Sequence, residues 1–187
     1  MIRLLQEKDI EIVCKIVNDS WKSVYAGYVN EELLDDNGCF NRKKSMESEL
    51  LSGRLSNYVY ECNGNIIALL SIGDTIDNDK IGAFEIWRIY ISNTYQNQGI
   101  GNQLLKFAEE QAFKHGYKEI VIWAFKENRR AISFYEKHEY IKDREEYLGE
   151  PYLTYGVRFN KSLDKTIATK TGLTEEEIDA LRKKECN

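Results

Sequence analysis

Residues 96–101 form a glycine-bearing turn between two strongly patterned segments, and they read Gln96-Asn97-Gln98-Gly99-Ile100-Gly101. Residues 84–91 before the turn are typical of a strand, and residues 102–110 after it are typical of a helix. Free backbone N–H groups and the dipole at a helix N-terminus favour a pyrophosphate. Because the two glycines lack a Cβ, a ligand can approach the backbone closely. The segment is compatible with an anion site, and the alternative is that its glycines are ordinary turn residues.

A second patterned segment follows within residues 125–140, where Asn128, Ala131, Phe134 and Tyr135 have the spacing N-x-x-A-x-x-F-Y. The turn before it has the spacing Q-x-x-G-x-G. The order and spacing of these two motifs resemble those of the GNAT superfamily of acetyl-CoA-dependent N-acetyltransferases. The resemblance implies acetyl-CoA as the co-substrate and direct transfer of its acetyl group to an amine.

The composition suits a single α/β domain, because 187 residues with 42% hydrophobic content can bury one core. The net charge of −5 argues against a nucleic-acid partner, whose binders usually carry a basic patch. No apolar run approaches the ~18 residues of a membrane span, and residues 1–20 do not resemble a signal peptide. We therefore expect a cytoplasmic protein without a membrane partner.

The cysteines do not predict a metal site. Cys14, Cys39, Cys62 and Cys186 show no C-x-x-C pairing, and the chain has two histidines. A zinc site needs closely spaced ligands of these types. We expect no metal, and scattered cysteines are typical of a reducing compartment.

Alternating strand and helix patterns predict an α/β domain with helices on both faces of a sheet. The resemblance implies the GNAT fold, in which the sheet is mixed and mostly antiparallel and two central parallel strands, here residues 83–91 and 119–125, splay apart. Asn37-Gly38 is predicted to separate a short helix from a helix over residues 42–51. The last strand is predicted over residues 152–159.

Residues 1–161 are predicted to form the acetyltransferase domain, and residues 162–187 a C-terminal helical extension. Thr174 and Glu177 have the spacing of a capping box at a helix start. Two short helices are also compatible with a helix-turn-helix, but five Lys or Arg against six Asp or Glu argue against a DNA contact. The extension is expected to pack on the domain or on a second subunit, which leaves a homodimer open.

The resemblance implies two catalytic residues. Glu85 lies six positions before Ile91 and is the predicted general base; the alternative is a carboxylate on a solvent-facing strand position. Tyr135 is the predicted general acid for the departing thiolate, and the alternative is a packing aromatic. Burial of a carboxyl on a strand would raise its pKa and make it a better base near neutral pH.

The resemblance also implies the acetyl-CoA contacts. The turn at residues 96–101 is predicted to hold the pyrophosphate, and Asn128 the pantetheine arm, although Asn128 is equally suited to cap a helix. The strand edge at Tyr90 and Ile91 is predicted to pair with the pantetheine amides and to supply an oxyanion donor.

The resemblance further implies that the first helix and the loop after it line the acceptor groove, with three aromatic residues, Trp21, Tyr25 and Tyr28. The spacing of Trp21 and Tyr25 puts them on one helical face. The alternative is that all three are ordinary core aromatics. The acceptor is expected to be a primary amine of a small molecule or of a peptide.

Residues 85–163 look similar to polyamine acetyltransferases of the PaiA type, which makes a polyamine or another small amine the first expectation. A peptide N-terminus or a lysine is the main alternative acceptor. A non-catalytic acyl-CoA-binding regulatory module is the alternative from a different class.

Two departures from the family pattern bear on the site. Glu139 stands where the family usually has a glycine, so a left-handed helix end there would be strained. The turn has Asn97 and Gln98 where a basic residue is common, so phosphate binding is expected to depend on backbone amides.

Overall fold

A computed structural model describes residues 1–185 of the chain; Cys186 and Asn187, the end of the predicted extension, lie outside the described residues. The strands are β1 (Ile2–Leu4), β2 (Ser56–Cys62), β3 (Asn65–Asp74), β4 (Phe84–Ile91), β5 (Glu119–Phe125), β6 (Ile141–Tyr147) and β7 (Tyr155–Ser162). The α-helices are α1 (Ile10–Val24), α2 (Asp36–Ser52), α3 (Ile100–Lys114), α4 (Arg129–Lys137), α5 (Leu163–Thr171) and α6 (Glu175–Glu185).

The seven strands form one sheet in the order β1-β2-β3-β4-β5-β7-β6. Every neighbouring pair is antiparallel except the central β4–β5 pair, which is parallel. This confirms the predicted mixed, mostly antiparallel sheet with a central parallel pair.

The central parallel strands separate after three residue pairs. The register runs from Phe84 opposite Ile120 to Ile86 opposite Ile122, and the remaining parts of β4 and β5 do not pair with each other. A bulge in β4 accompanies the separation, since the partner of β3 shifts between Ser71 and Ile72. Bulges bend and twist a strand locally. The predicted splay is therefore present, and it opens a gap in the middle of the sheet.

The two faces of the sheet carry different helices. Phe84 and Ile86 point to the face covered by α3, where they join a core cluster with Leu104 and Leu105. α1 and α2 cover the other face, where a second cluster includes Trp21 and partly buried Tyr90. Since side chains alternate along a strand, Glu85 points away from α3.

The predicted break at Asn37-Gly38 is wrong, because α2 is a single helix that begins at Asp36 and passes through Gly38. The Asp35 carboxylate accepts a hydrogen bond from the Gly38 N–H at 2.7 Å and caps the helix. A Cβ on Gly38 would lie 2.2 Å from the Glu32 carbonyl oxygen. The glycine therefore allows a close approach of the preceding turn and does not end a helix.

Strand β6 was not predicted, and the last strand begins at Tyr155 instead of Tyr152. β6 reads Ile-Lys-Asp-Arg-Glu-Glu-Tyr, has no hydrophobic alternation and is mostly exposed at the edge of the sheet. Its conformation comes from pairing with β7. Charged side chains on an edge strand discourage pairing with another chain.

The C-terminal helices pack on the domain. Reciprocal hydrogen bonds join Thr174 and Glu177, at 2.8 Å from the Thr174 N–H and 3.3 Å from the Glu177 N–H, so the predicted capping box is present. Ile178 is fully buried, and the Arg182 guanidinium lies 5.1 Å from the centre of the Phe113 ring of α3. Within residues 1–185, none of the helices has both the length and the apolar character needed to cross a membrane.

Candidate active site

The glycine-bearing turn leads directly into α3. Gly99 precedes the first residue of the helix with a φ of 79° and, as a glycine, has no side chain that could cap the N–H groups there. Asn97 also has a positive φ, of 62°. The Gln96 amide donates to the carbonyl oxygen of Ile91 at 3.1 Å and so ties the turn to the end of β4. The predicted strand, turn and helix start are all present, and phosphate binding by them stays a prediction.

Gly101, in the first turn of α3, faces α4 and the end of β4. A Cβ on this glycine would lie 3.4 Å from the Phe134 ring and 3.6 Å from the Ile91 side chain, which are ordinary van der Waals distances. Packing within the domain therefore leaves room for a Cβ at this position.

The turn receives a positive charge from α4 that its own sequence lacks. Arg130 donates hydrogen bonds to the side-chain oxygens of Gln96 and of Asn97, the latter at 2.8 Å. Its guanidinium thus stands beside the predicted pyrophosphate site. We expected phosphate binding to depend on backbone amides, because the turn itself has no basic residue. Arg130 belongs to a different element, so the turn motif did not indicate its charge.

The second motif forms α4 and the residue before it. The Asn128 side chain accepts a hydrogen bond from the Ala131 N–H at 3.2 Å, so it caps this helix, and its predicted contact with pantetheine remains untested. Glu139, after the helix, has a φ of 67°. This is the left-handed conformation, for which the family usually has a glycine at this position. The substitution therefore keeps the backbone geometry and places a strained residue there.

Tyr135 of α4 is buried on the α3 face of the sheet. Its ring lies 5.9 Å from that of Phe159 and 6.1 Å from that of Tyr140. Burial raises the pKa of its hydroxyl, and the neighbouring hydroxyl of Tyr90 adds to the effect. Tyr135 is therefore a protonated phenol at neutral pH, the form that a general acid requires.

Glu85 is 5% exposed and projects from β4 on the opposite face. Burial raises the pKa of its carboxyl to about 7, although a hydrogen bond from the Thr75 hydroxyl at 2.8 Å opposes this change. A carboxylate with such a pKa takes up protons efficiently near neutral pH. Thr75 was not identified from the sequence, because it is distant along the chain and belongs to no motif.

The three aromatic residues predicted for the acceptor are in ring contact with two that were not predicted, Phe125 and Tyr152, and the five form one aromatic cluster. The Phe125 ring centre is 5.0 Å from that of Tyr25, 5.9 Å from that of Trp21 and 6.4 Å from that of Tyr28. Tyr152 lies 5.6 Å from Phe125. Tyr152 lies in the loop between β6 and β7. Because the sequence did not predict β6, it placed Tyr152 in the last strand and did not indicate its contact with the aromatic residues.

Tyr90 connects this cluster to the gap between β4 and β5. Its hydroxyl accepts a hydrogen bond from the indole N–H of Trp21 at 3.0 Å. Its backbone and that of Ile91 pair with Leu69 and Ala68 of β3 on one side. On the other side, from Trp87 to Ile91, the described part of the chain supplies no strand partner. An extended amide chain can therefore add to this edge.

The two predicted catalytic groups thus approach the gap from opposite faces of the sheet. Tyr135 lies with α3 and α4 on one face, whereas Glu85 and the aromatic cluster lie on the other. A thioester entering from the first face and an amine entering from the second would meet where the strands separate. This geometry suits direct attack, which requires no covalent enzyme intermediate.

Comparisons with known proteins agree with the fold and the motifs. A model of the acetyltransferase (GNAT) family matches residues 14–140. The spermidine N(1)-acetyltransferase of Thermoplasma acidophilum is 29% identical over 146 residues, which cover 73% of this chain and 85% of that protein.

Solved structures share the architecture at low sequence identity. The PaiA N-acetyltransferase of Thermoplasma acidophilum in complex with coenzyme A has a TM-score of 0.69 at 21% identity, covering 87% of this chain and 98% of that one. A ribosomal-protein-alanine N-acetyltransferase from Brucella melitensis has a TM-score of 0.66 at 20% identity, covering 87% and 99%. At these identities the two structures establish the fold, and the family model, which spans most of the chain, establishes the relationship. The chain belongs to the GNAT family, and it is an acyltransferase with acetyl-CoA as its co-substrate.

Proposed function

We propose that this enzyme transfers the acetyl group of acetyl-CoA to a primary amine of a polyamine or another small cationic amine. The observation that carries the proposal is the placement of a buried carboxyl, Glu85, on the same face of the sheet as an aromatic cluster beside the gap between β4 and β5. The similarity to a spermidine acetyltransferase supports the choice of amine.

In the proposed mechanism Glu85 accepts the proton that the amine loses. The proposed oxyanion donor near Ile91 is six residues from Glu85, about 20 Å along the strand, so a chain of water molecules would relay the proton. The nitrogen then attacks the thioester carbonyl, and a backbone N–H near Ile91 donates to the oxyanion. Tyr135 protonates the departing thiolate. The turn at residues 96–101, with Arg130 beside it, holds the pyrophosphate.

The aromatic cluster is the proposed acceptor site. Electron-rich ring faces attract alkylammonium groups. The Tyr28 hydroxyl is buried and makes no hydrogen bond within residues 1–185. Buried hydroxyls are normally paired, so a ligand that donates to or accepts from Tyr28 would complete it.

An acceptor screen read by release of free thiol from acetyl-CoA tests the proposal. Spermidine and spermine are compared with a neutral primary amine of similar length, with free lysine and with peptides that end in alanine. We expect the polyamines to have the highest kcat/KM. Acetylation of the peptides without acetylation of polyamines would replace the proposed acceptor with a protein N-terminus.

Two broader assignments complete the proposal. Residues 1–161 form the acetyltransferase domain, and residues 162–187 its C-terminal extension. The described part of the extension covers the domain of its own chain, which the burial of Ile178 and Arg182 supports. A homodimer would then use another surface, which sedimentation of the full-length chain tests.

The three described cysteines are free thiols, which supports action in the cytoplasm.

A further inference from the structure

Residues 75–83, between β3 and β4, fold across the face of the sheet that carries Glu85. The Thr75 hydroxyl donates to Glu85 at 2.8 Å and accepts from the Asp77 N–H at 3.2 Å. The Asp77 carboxylate accepts from the indole N–H of Trp123 on β5 at 2.9 Å. The segment therefore bridges β4 and β5 on the proposed acceptor face, and we refer to residues 75–80 as the covering loop.

One buried arginine holds the covering loop in place. Arg158 of β7 is 2% exposed. It donates to Asp77 at 2.8 Å, to Asp79 at 2.8 and 2.6 Å, and to Asp143 of β6 at 3.0 and 3.2 Å. These five hydrogen bonds use all five N–H donors of a guanidinium. Two of the three carboxylates belong to the covering loop, so the loop cannot lift away without leaving a buried charge short of partners.

The chemistry of this arrangement requires arginine. A planar guanidinium reaches three carboxylates in fixed directions, whereas a lysine ammonium is a point charge with three donors. A buried ion pair is weak evidence for a contribution to stability, because desolvation offsets much of the attraction. Arg158 therefore calls for an explanation beyond stability, and its connection to Glu85 through Asp77 and Thr75 supplies one.

We propose that Arg158 is a positioning residue that holds the covering loop over Glu85 and so shields the base from bulk water and keeps it correctly oriented. The inference rests on the proposed role of Glu85. Four groups face this carboxyl: Thr75 and Asp77 from the covering loop, Arg54 from the segment before β2, and Arg158 from β7. With the loop in place, burial is the dominant influence on the carboxyl.

Two kinds of variant should shift the acidic limb of the pH–rate profile in opposite directions. Opening the loop admits water to Glu85, which lowers its pKa from about 7 toward the ordinary value of a glutamate. Arg158→Lys and Asp79→Asn are designed to do this, and the lysine retains the positive charge near Glu85. Thr75→Val removes the hydrogen bond that favours the ionised carboxylate, together with the one that the hydroxyl accepts from the Asp77 N–H, but it leaves the Arg158 contacts intact, so it raises the pKa of Glu85.

The test measures pH–rate profiles at saturating acetyl-CoA with spermidine, or with the best amine of the acceptor screen. In Arg158→Lys and Asp79→Asn we expect the acidic limb to move down by about one pH unit and the plateau rate to fall, because a weaker base is a poorer catalyst. In Thr75→Val we expect the limb to move up. The KM for acetyl-CoA should stay within about twofold, since the loop lies on the other face.

Hydrogen exchange supplies a readout that does not depend on activity. The amides of Asp77 and Lys80 bond within the loop, and their exchange should become about tenfold faster or more in Arg158→Lys and Asp79→Asn. Arg144→Lys is the matched control, because Arg144 also contacts Asp79, at 3.3 Å, but from an exposed position. It should alter neither the profile nor the exchange. Should Arg158→Lys fail to fold, Asp79→Asn decides the question, since Asp79 is half-exposed.

The outcomes separate this inference from the proposed function. If the acidic limb of the pH–rate profile persists in Glu85→Gln, the assignment of the base is overturned, and this inference is overturned with it. A limb that is lost in Glu85→Gln, but unmoved in Arg158→Lys and Asp79→Asn, overturns the positioning role alone. Faster exchange of the loop amides together with an unmoved limb also overturns it, because the loop would then be ordered by Arg158 without governing the base.

Discussion

The acetyl-CoA side and the acceptor side of the proposed site are built in different ways. Most of the acetyl-CoA side comes from two contiguous segments, residues 96–101 and 128–135, each of which begins a helix. The strand edge at Tyr90 and Ile91 precedes the first of them directly. The acceptor side is assembled from α1, β4, β5, the β6–β7 loop, β7 and the covering loop, and its residues are spread from Trp21 to Arg158.

This difference follows from what each side recognises. A pyrophosphate is bound by backbone N–H groups at a helix start, which a short motif specifies completely. An amine and its proton need a particular side chain in a particular environment, and that environment comes from distant segments. A family can therefore keep one acetyl donor while its members differ in their acceptors.

The largest expected effect is on the acceptor side. Glu85→Gln should lower kcat by roughly 10²–10⁴-fold, the usual contribution of a general base. It should also abolish the acidic limb near pH 7, because below that pH the native carboxyl is protonated and cannot accept a proton. The control is Glu110→Gln on the exposed side of α3. A persisting limb would move the base to another residue, or show that the amine arrives deprotonated.

Tyr135→Phe addresses the acetyl-CoA side with the next largest effect. The ring still packs against Phe159, so we expect kcat to fall by about 100-fold while the KM for acetyl-CoA changes little. Tyr140→Phe is the control, because it removes a buried hydroxyl of the same cluster that bonds Glu109. A loss confined to KM would make Tyr135 a binding residue.

Tyr152→Ala tests the acceptor side at a residue that the sequence did not identify as part of the site. Loss of a ring from the aromatic cluster should raise the KM for the amine by about tenfold. The KM for acetyl-CoA should be unaffected. Tyr147→Ala, on the exposed edge strand, is the control. Equal effects on both KM values would indicate that the cluster supports the fold and does not bind the amine.

Arg130→Ala should have the smallest effect, and it tests whether the acetyl-CoA side is purely local. The exposed guanidinium should lower the KM for acetyl-CoA through charge, so its removal should raise that KM about fivefold at low salt and less at high salt. Arg129→Ala, the neighbouring change on the same helix, is the control. An unchanged KM would leave phosphate binding to the backbone amides of the turn.

Particular residues show what could be predicted. Three predicted features are present in the structure: the turn, the start of α3 and the capping box at Thr174. Each depends on contacts between residues that are close in the chain, so the local sequence pattern predicts it. The predicted break at Asn37-Gly38 was wrong because the close approach of the Glu32 carbonyl oxygen leaves no space for a Cβ at Gly38. This contact joins two different elements, so the local sequence does not indicate it. β6 escaped prediction because its charged sequence carries no alternation, and pairing with β7 imposes its conformation.

Local spacing and backbone chemistry were enough to identify the family, the acetyl donor and the candidate residues of the two motifs. Tertiary structure decided the environment of those residues. It brought Arg130 to the turn, Phe125 and Tyr152 to the predicted aromatic residues, and the covering loop to Glu85. The physical reason is that burial and charge act through space: the pKa of about 7 at Glu85 arises from segments far apart in the chain.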